Sequence, residues 1–306
     1  MKDSQPTHSF PPHLYGLLIG LTVGWGLNWP AMKIVLAEMA PLHFRTLVLG
    51  FSAAGLFCIA WAGGFRIRVP AGQWGRLAAI GLFTMSGWNI FAIYGIGLLA
   101  SGRAAILGYT MPAWSVLLSA WLLHEPLTRR RILGVALGGA GMLLLLGNEA
   151  QALGRSPAGA LLMVAAAFCW ALGAVLMKRW PVDLPATAFT AWQILIGVVP
   201  ILVLALCAER GSFNGLALST WPMLGLSYNI VAYTFCYWAW TRIVAVAPVG
   251  LASLAIMLTP VVGVFSGMLL LGERPHWQDY AALLLVVASL AIVLRAPRAA
   301  RGPGSD

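Results

Sequence analysis

The chain has 306 residues, 60% of them hydrophobic and only 9% charged, with a mean hydropathy of +0.85. Soluble domains carry about 25% charged residues, so this composition excludes them and leaves a polytopic helical membrane protein. A net charge of +10 would point to nucleic acid on a soluble protein; here the cations sit between apolar runs, where they hold cytoplasmic loops, and no nucleic-acid partner is expected.

A membrane-spanning helix needs about 20 apolar residues. Ten segments meet that length: 14–32, 43–62, 75–98, 101–122, 131–148, 157–178, 186–207, 222–241, 247–270 and 276–294. Charge or turn residues fill the breaks, as in GGFRIRVPAGQ, HEPLTRRR, NEAQALGRSP and ERGSFNGLALST. No secretory cleavage site follows the first segment, so it is expected to be retained behind a polar cytoplasmic tail of residues 1–13. With that tail inside, thirteen Lys and Arg residues fall on the cytoplasmic side and six (Lys33, Arg45, Arg103, Arg155, Arg210, Arg274) on the other. The bias puts both termini, including the tail at 295–306, in the cytoplasm.

The chain states its opening twice. Trp25–Lys33, WGLNWPAMK, returns 145 residues later as Trp170–Lys178, WALGAVLMK. Trp74 and Trp221 repeat at an offset of 147, and Pro112 with Pro260 and Glu125 with Glu273 at 148. The first repeat covers 14–148 and the second 157–294. Five spans per repeat is an odd number, so the second copy enters the membrane in the opposite sense. The expected fold is all-α: ten transmembrane helices as two inverted five-helix repeats, the plan of alternating-access carriers.

Span one carries Trp25, Asn28 and Pro30, a polar amide and a helix-breaking imide within an apolar run. Its copy has Trp170 but places Gly173 and Val175 where Asn28 and Pro30 stand. Span three adds Trp88, Asn89 and Tyr94; span four, Tyr109 and Trp114; span eight, Tyr233 and Tyr237. These residues offer hydrogen bonds and aromatic faces to a small amphipathic solute, and are the candidate substrate-binding set. Packing between helices, or an interfacial aromatic belt, is the competing reading, and it suits Trp74 and Trp221 at span starts better. Pro30, Pro112 and Pro260 are candidate hinges, since a mid-helix proline frees a carbonyl and loosens the ladder.

Several chemistries are disfavoured. Glu38, Glu125, Glu149, Glu209 and Glu273 map to span ends or loops, leaving no obvious intramembrane proton site. Cys58, Cys169, Cys207 and Cys236 share no metal-ligand spacing and read as small buried hydrophobes. No phosphate loop, metal cluster or nucleophile constellation appears, so neither an enzyme nor a cofactor is expected. Arg45 opens span two, where snorkelling to the interface competes with attraction of a substrate carboxylate. Gly134, Gly138 and Gly141 in span five allow close helix contact and read as scaffold or protomer interface.

The strings WGLNWPAMK, GRAAILGYTMPAWSVLLSAWLLHEPLT and GVALGGAGMLLL, with their second-half versions, resemble the drug/metabolite transporter superfamily, specifically its bacterial ten-helix members with two EamA-type repeats. That resemblance covers nearly the whole chain, and Glu273-Arg274-Pro275 departs from the tighter Glu125-Pro126 of the first half. It implies a multi-pass inner-membrane carrier with spans one, three, four, six, eight and nine around a central cavity and spans five and ten peripheral. It further implies export of small metabolites, amino acids with aromatic or apolar side chains among them. Export or import of other metabolites or of cationic drugs such as methyl viologen, and a non-transporting scaffold, stand as alternatives. Partners would be the solute and membrane lipid, the chain acting as a monomer or a homodimer.

Overall fold

A computed structural model describes residues 12–99, 101–108, 110–124, most of 129–144, 157–209, 218–246 and 259–294. Tyr109, Glu125, Glu149 and both terminal tails lie outside the described residues. The described residues form helices and contain no strand. In chain order the helices are α1 Pro12–Val35, α2 Pro41–Ala62, α3 Trp74–Gly81, α4 Trp88–Leu98, α5 Ser101–Gly108, α6 Met111–Leu122, α7 Ile132–Gly141, α8 Ala158–Arg179, α9 Ala186–Ala208, α10 Thr220–Val246, α11 Thr259–Leu271 and α12 Trp277–Leu294. The first, second, third, sixth, seventh and tenth predicted spans are met to within a few residues. Apolar run length alone fixes such boundaries, because a bilayer leaves the backbone no partner except its own helix.

Two spans are interrupted. Span three passes from α3 to α4 through a six-residue π-helical segment, Leu82–Gly87. Each extra residue turns the rest of the helix by about 100° relative to an unbroken one, which sets the face that Trp88 and Asn89 occupy. Span four breaks between α5 and α6 at Thr110, whose hydroxyl and amide both donate to the Leu107 carbonyl at 2.7 and 3.1 Å. Pro112 therefore stands in the first turn of α6 rather than mid-helix, where a missing N–H costs nothing. Pro260 is the second residue of α11; residues 251–258 before it lie outside the described residues. Pro30 alone of the three is enclosed by continuous described helix.

The packing is two-fold. α2 packs on α9; α1 packs on α10 and α11, while α8 packs on α4 and α6. Exchanging α1 with α8, α2 with α9, α4 with α10 and α6 with α11 maps these pairs onto one another, as an inverted-repeat architecture requires. Close approach at the seams needs missing side chains. A Cβ on Gly26 of α1 would lie 2.4 Å from Val262 of α11, and one on Gly173 of α8 2.1 Å from Thr84 Cγ2. Gly173 thus cannot become the Asn found at the matching place in α1.

Large apolar side chains face outward on many helices, including Trp61, Trp121, Leu269 and Leu284. Water would penalise that surface heavily, whereas acyl chains accept it. Four described helical stretches, Pro41–Ala62, Trp74–Leu98, Ala158–Arg179 and Ala186–Ala208, are each long and apolar enough to cross a membrane. At the periphery the Ser289 hydroxyl donates to the Gly134 carbonyl at 2.5 Å, joining α12 to α7.

Candidate functional site: a central aromatic cavity

A cavity of about 70 Å³ lies at the junction of α1, α2, α4, α6, α8 and α10. α1 contributes Trp25, Asn28, Trp29 and Met32, and α10 contributes Tyr233 and Tyr237. Trp88 and Ala92 of α4, Met111 of α6, Trp170 of α8 and Arg45 of α2 complete it. Both copies of the repeated tryptophan, Trp25 and Trp170, thus meet across one space.

The aromatic rings form a chain. Trp25 meets Tyr237 edge-on at 6.0 Å between centroids, Trp170 meets Trp88 at 5.4 Å, and Tyr233 and Tyr237 lie 4.7 Å apart. Such tilted and edge contacts suit the ring quadrupoles and contribute about 0.5–1.5 kcal/mol each beyond burial. Behind the rings, Asn89 is fully buried and donates through Nδ2 to the Met85 carbonyl at 2.7 Å. Its amide and the Tyr233 hydroxyl lie 3.3–3.4 Å apart, and the Tyr233 and Tyr237 hydroxyls 3.2 Å apart. Asn89 braces the tyrosines rather than lining the space.

Two polar groups in the wall stand out. Asn28 is 9% exposed and its side-chain oxygen has no hydrogen-bond partner. Arg45 is 2% exposed; its Nη2 lies 2.8 Å from the Met32 sulfur, its guanidinium 5.4 Å from the Phe44 ring, and its Nε has no partner. The structure sets aside the snorkelling reading of this residue: Arg45 ends inside the bundle. An ionised side chain enclosed within a membrane bundle is costly and rare. Pro30 adds a smaller effect. It removes the donor to the Gly26 carbonyl, which the Ser266 hydroxyl of α11 meets at a long 3.5 Å.

The remaining predicted site residues lie elsewhere. Tyr94 is at the far end of α4, its hydroxyl 3.5 Å from Glu209. Trp114 packs edge-on against Phe168 at 5.7 Å, in a separate cluster with Leu118, Ala171 and Val175. Conversely Trp29, Met32, Ala92 and Met111 line the cavity without having been singled out, because nothing marks an ordinary apolar residue as facing inward rather than packed.

A wider cleft of about 420 Å³ opens at the end of the bundle that carries Lys33, Arg103, Glu273, Arg274, His276 and Asp279. Here the charges are matched across the two halves. Lys33 Nζ lies 3.2 Å from Glu273 Oε1 and donates to the Leu99 carbonyl at 2.6 Å. Arg103 Nε lies 2.8 Å from Asp279 Oδ1, and Asp279 Oδ2 accepts from the His276 amide at 2.7 Å, capping α12. Asp279, 4% exposed, is a buried carboxylate absent from the sequence-based inventory of acids. Nearby, Glu209 accepts from the Leu42 and His43 amides at 2.9 and 3.0 Å, and His43 Nδ1 approaches it to 2.8 Å. At the opposite end the exposed pair Arg66 and Asp183 joins the halves at 2.8 Å.

Comparison with known proteins agrees with this architecture. The sequence profile of the EamA-like transporter family matches residues 14–147 and again 157–295. A probable amino-acid metabolite efflux pump of Salmonella typhimurium is 30% identical, the match covering 90% of this chain and 93% of that one. The uncharacterized transporter YoaV of Bacillus subtilis is 27% identical over 84% of this chain and 88% of its own length. One solved crystal structure superposes with a TM-score of 0.67 over 92% of this chain and 96% of that one, at 19% identity, and so speaks to the fold alone. Two family repeats cover almost the whole sequence and fold around one shared cavity: the chain belongs to the EamA-like transporter family, a multi-pass inner-membrane transporter rather than an enzyme.

Proposed function

We propose that the protein exports small organic metabolites, foremost amino acids with apolar or aromatic side chains, by alternating access around the central cavity. The observation that carries this reading is the cavity wall itself, where tryptophan and tyrosine rings surround a partnerless Asn28 oxygen. Rings hold an apolar side chain, and a buried acceptor without a partner holds an ammonium group. The name of the Salmonella relative, an amino-acid metabolite efflux pump, supports the same substrate class.

At about 70 Å³ the cavity is far smaller than the roughly 300 Å³ or more that encloses a small molecule. Solute access therefore requires the helices to part, and the two-fold seams allow one half to rock against the other. The break at Thr110 and the proline-interrupted α1 are where such motion meets least backbone resistance. Both termini face the cytoplasm in this scheme.

Counterflow in proteoliposomes tests it. Protein preloaded with L-phenylalanine or L-leucine is expected to exchange labelled amino acid, and Trp25→Ala and Asn28→Ala to slow exchange about tenfold. Robust exchange untouched by either change removes the site, and no exchange across a broad amino-acid panel favours a scaffold that kept the fold without transport.

A further inference from the structure

We infer that Arg45 is the carboxylate anchor of the transport site, so that a free carboxylate is an obligatory feature of the solute. This deepens the substrate reading above and rests on it for the location of the site. Arg45 is almost wholly enclosed, lines the cavity and has an unpartnered Nε. The described ion pairs are Lys33–Glu273, His43–Glu209, Arg66–Asp183 and Arg103–Asp279; among the described residues no carboxylate is paired with Arg45. A guanidinium cannot shed its proton to relieve burial. Its contacts, a thioether sulfur and a phenylalanine ring, are weak partners for a full charge.

A charge held in that condition fits an anion that comes and goes. The planar fork of arginine matches a carboxylate with two parallel hydrogen bonds, which a lysine cannot reproduce. The Asn28 oxygen, on the neighbouring helix α1, is an acceptor in the same wall, and the rings of Trp25, Trp88 and Trp170 supply apolar faces. Guanidinium, amide oxygen and rings together correspond to the carboxylate, ammonium and side chain of one amino acid. The same guanidinium repels organic dications and amines, which disfavours cationic drugs as cargo.

The test compares solutes that differ in one group. Wild-type protein in liposomes is offered L-phenylalanine, phenethylamine, which lacks the carboxylate, and 3-phenylpropionate, which lacks the ammonium. Binding to detergent-solubilised protein is followed in parallel by tryptophan fluorescence. Expected are exchange and binding of L-phenylalanine at least tenfold stronger than of phenethylamine, and at least a tenfold loss for L-phenylalanine in Arg45→Gln and Arg45→Lys. Wild type handling phenethylamine as well as L-phenylalanine overturns the inference while leaving amino-acid transport intact, and needs no variant to fold. Arg45→Gln exchanging L-phenylalanine at wild-type rate overturns it equally. Exchange of 3-phenylpropionate but of no amino acid supports the anchor and instead removes the amino-acid reading.

Discussion

Arg45 and Arg103 are both buried arginines of the first repeat, 2% and 7% exposed, and both lie near the start of a helix. Arg103 meets Asp279 at 2.8 Å across the seam between the halves; Arg45 meets the Met32 sulfur of the cavity wall and the Phe44 ring of the core. The first charge is compensated by the protein and closes a contact between α5 and α12. Among the described residues no carboxylate compensates the second. Burial is common to both arginines; what separates them is that, among the described residues, only Arg103 has a carboxylate partner, which is the contrast the proposed carboxylate anchor rests on.

Substitution separates the two most sharply in stability. Arg103→Ala strands the Asp279 carboxylate and is expected to cost about 3–5 kcal/mol, read as a large drop in melting temperature in detergent, with Arg103→Ala/Asp279→Ala recovering most of it. Arg45→Gln removes a buried charge without stranding a partner, so its melting temperature should match or exceed that of the parent even as solute binding falls. Equal destabilisation by both changes would erase the distinction.

The mildest contrast comes from a solvated acid at the same end. Glu38 accepts hydrogen bonds from the Ser219 hydroxyl and, at 2.7 Å, from its amide. These bonds, the hydroxyl's first, hold the Glu38 carboxyl below its ordinary value of 4.5. A carboxyl depressed in the folded state stabilises above its unfolded pKa, and that contribution fades as pH falls through the folded value. Ser219→Ala should therefore lower the melting temperature slightly at neutral pH, and the difference should shrink as pH falls through the depressed Glu38 value. A gap that persists unchanged in acid would assign the effect to packing instead.

Much of this was legible in the sequence, and for identifiable reasons. Run lengths set the spans, and the Trp25/Trp170 echo named two residues that meet across one cavity. The asymmetry of Asn28 against Gly173 was visible too, but its cause, the Thr84 side chain pressed on Gly173, is a contact between distant spans. Snorkelling competed for Arg45 in the sequence because long stems reach the interface; only the surrounding Met32, Phe44 and cavity wall show it held inside. Asp279 escaped notice because it stands at a span edge, and its partner Arg103 lies 176 residues away. Tyr94 and Trp114 looked equivalent to Tyr233 and Trp25 by type, yet helix register sends them to Glu209 and Phe168.

The central claim is that solute occupies the space between α1, α4, α8 and α10. Solute protection of Met111, a half-buried lining residue, tests it most directly: Met111→Cys in a background lacking the four native cysteines, labelled with a maleimide in liposomes. L-phenylalanine at concentrations that support counterflow should slow labelling severalfold, and phenethylamine should not. Unchanged labelling while counterflow proceeds would show that solute crosses by another route.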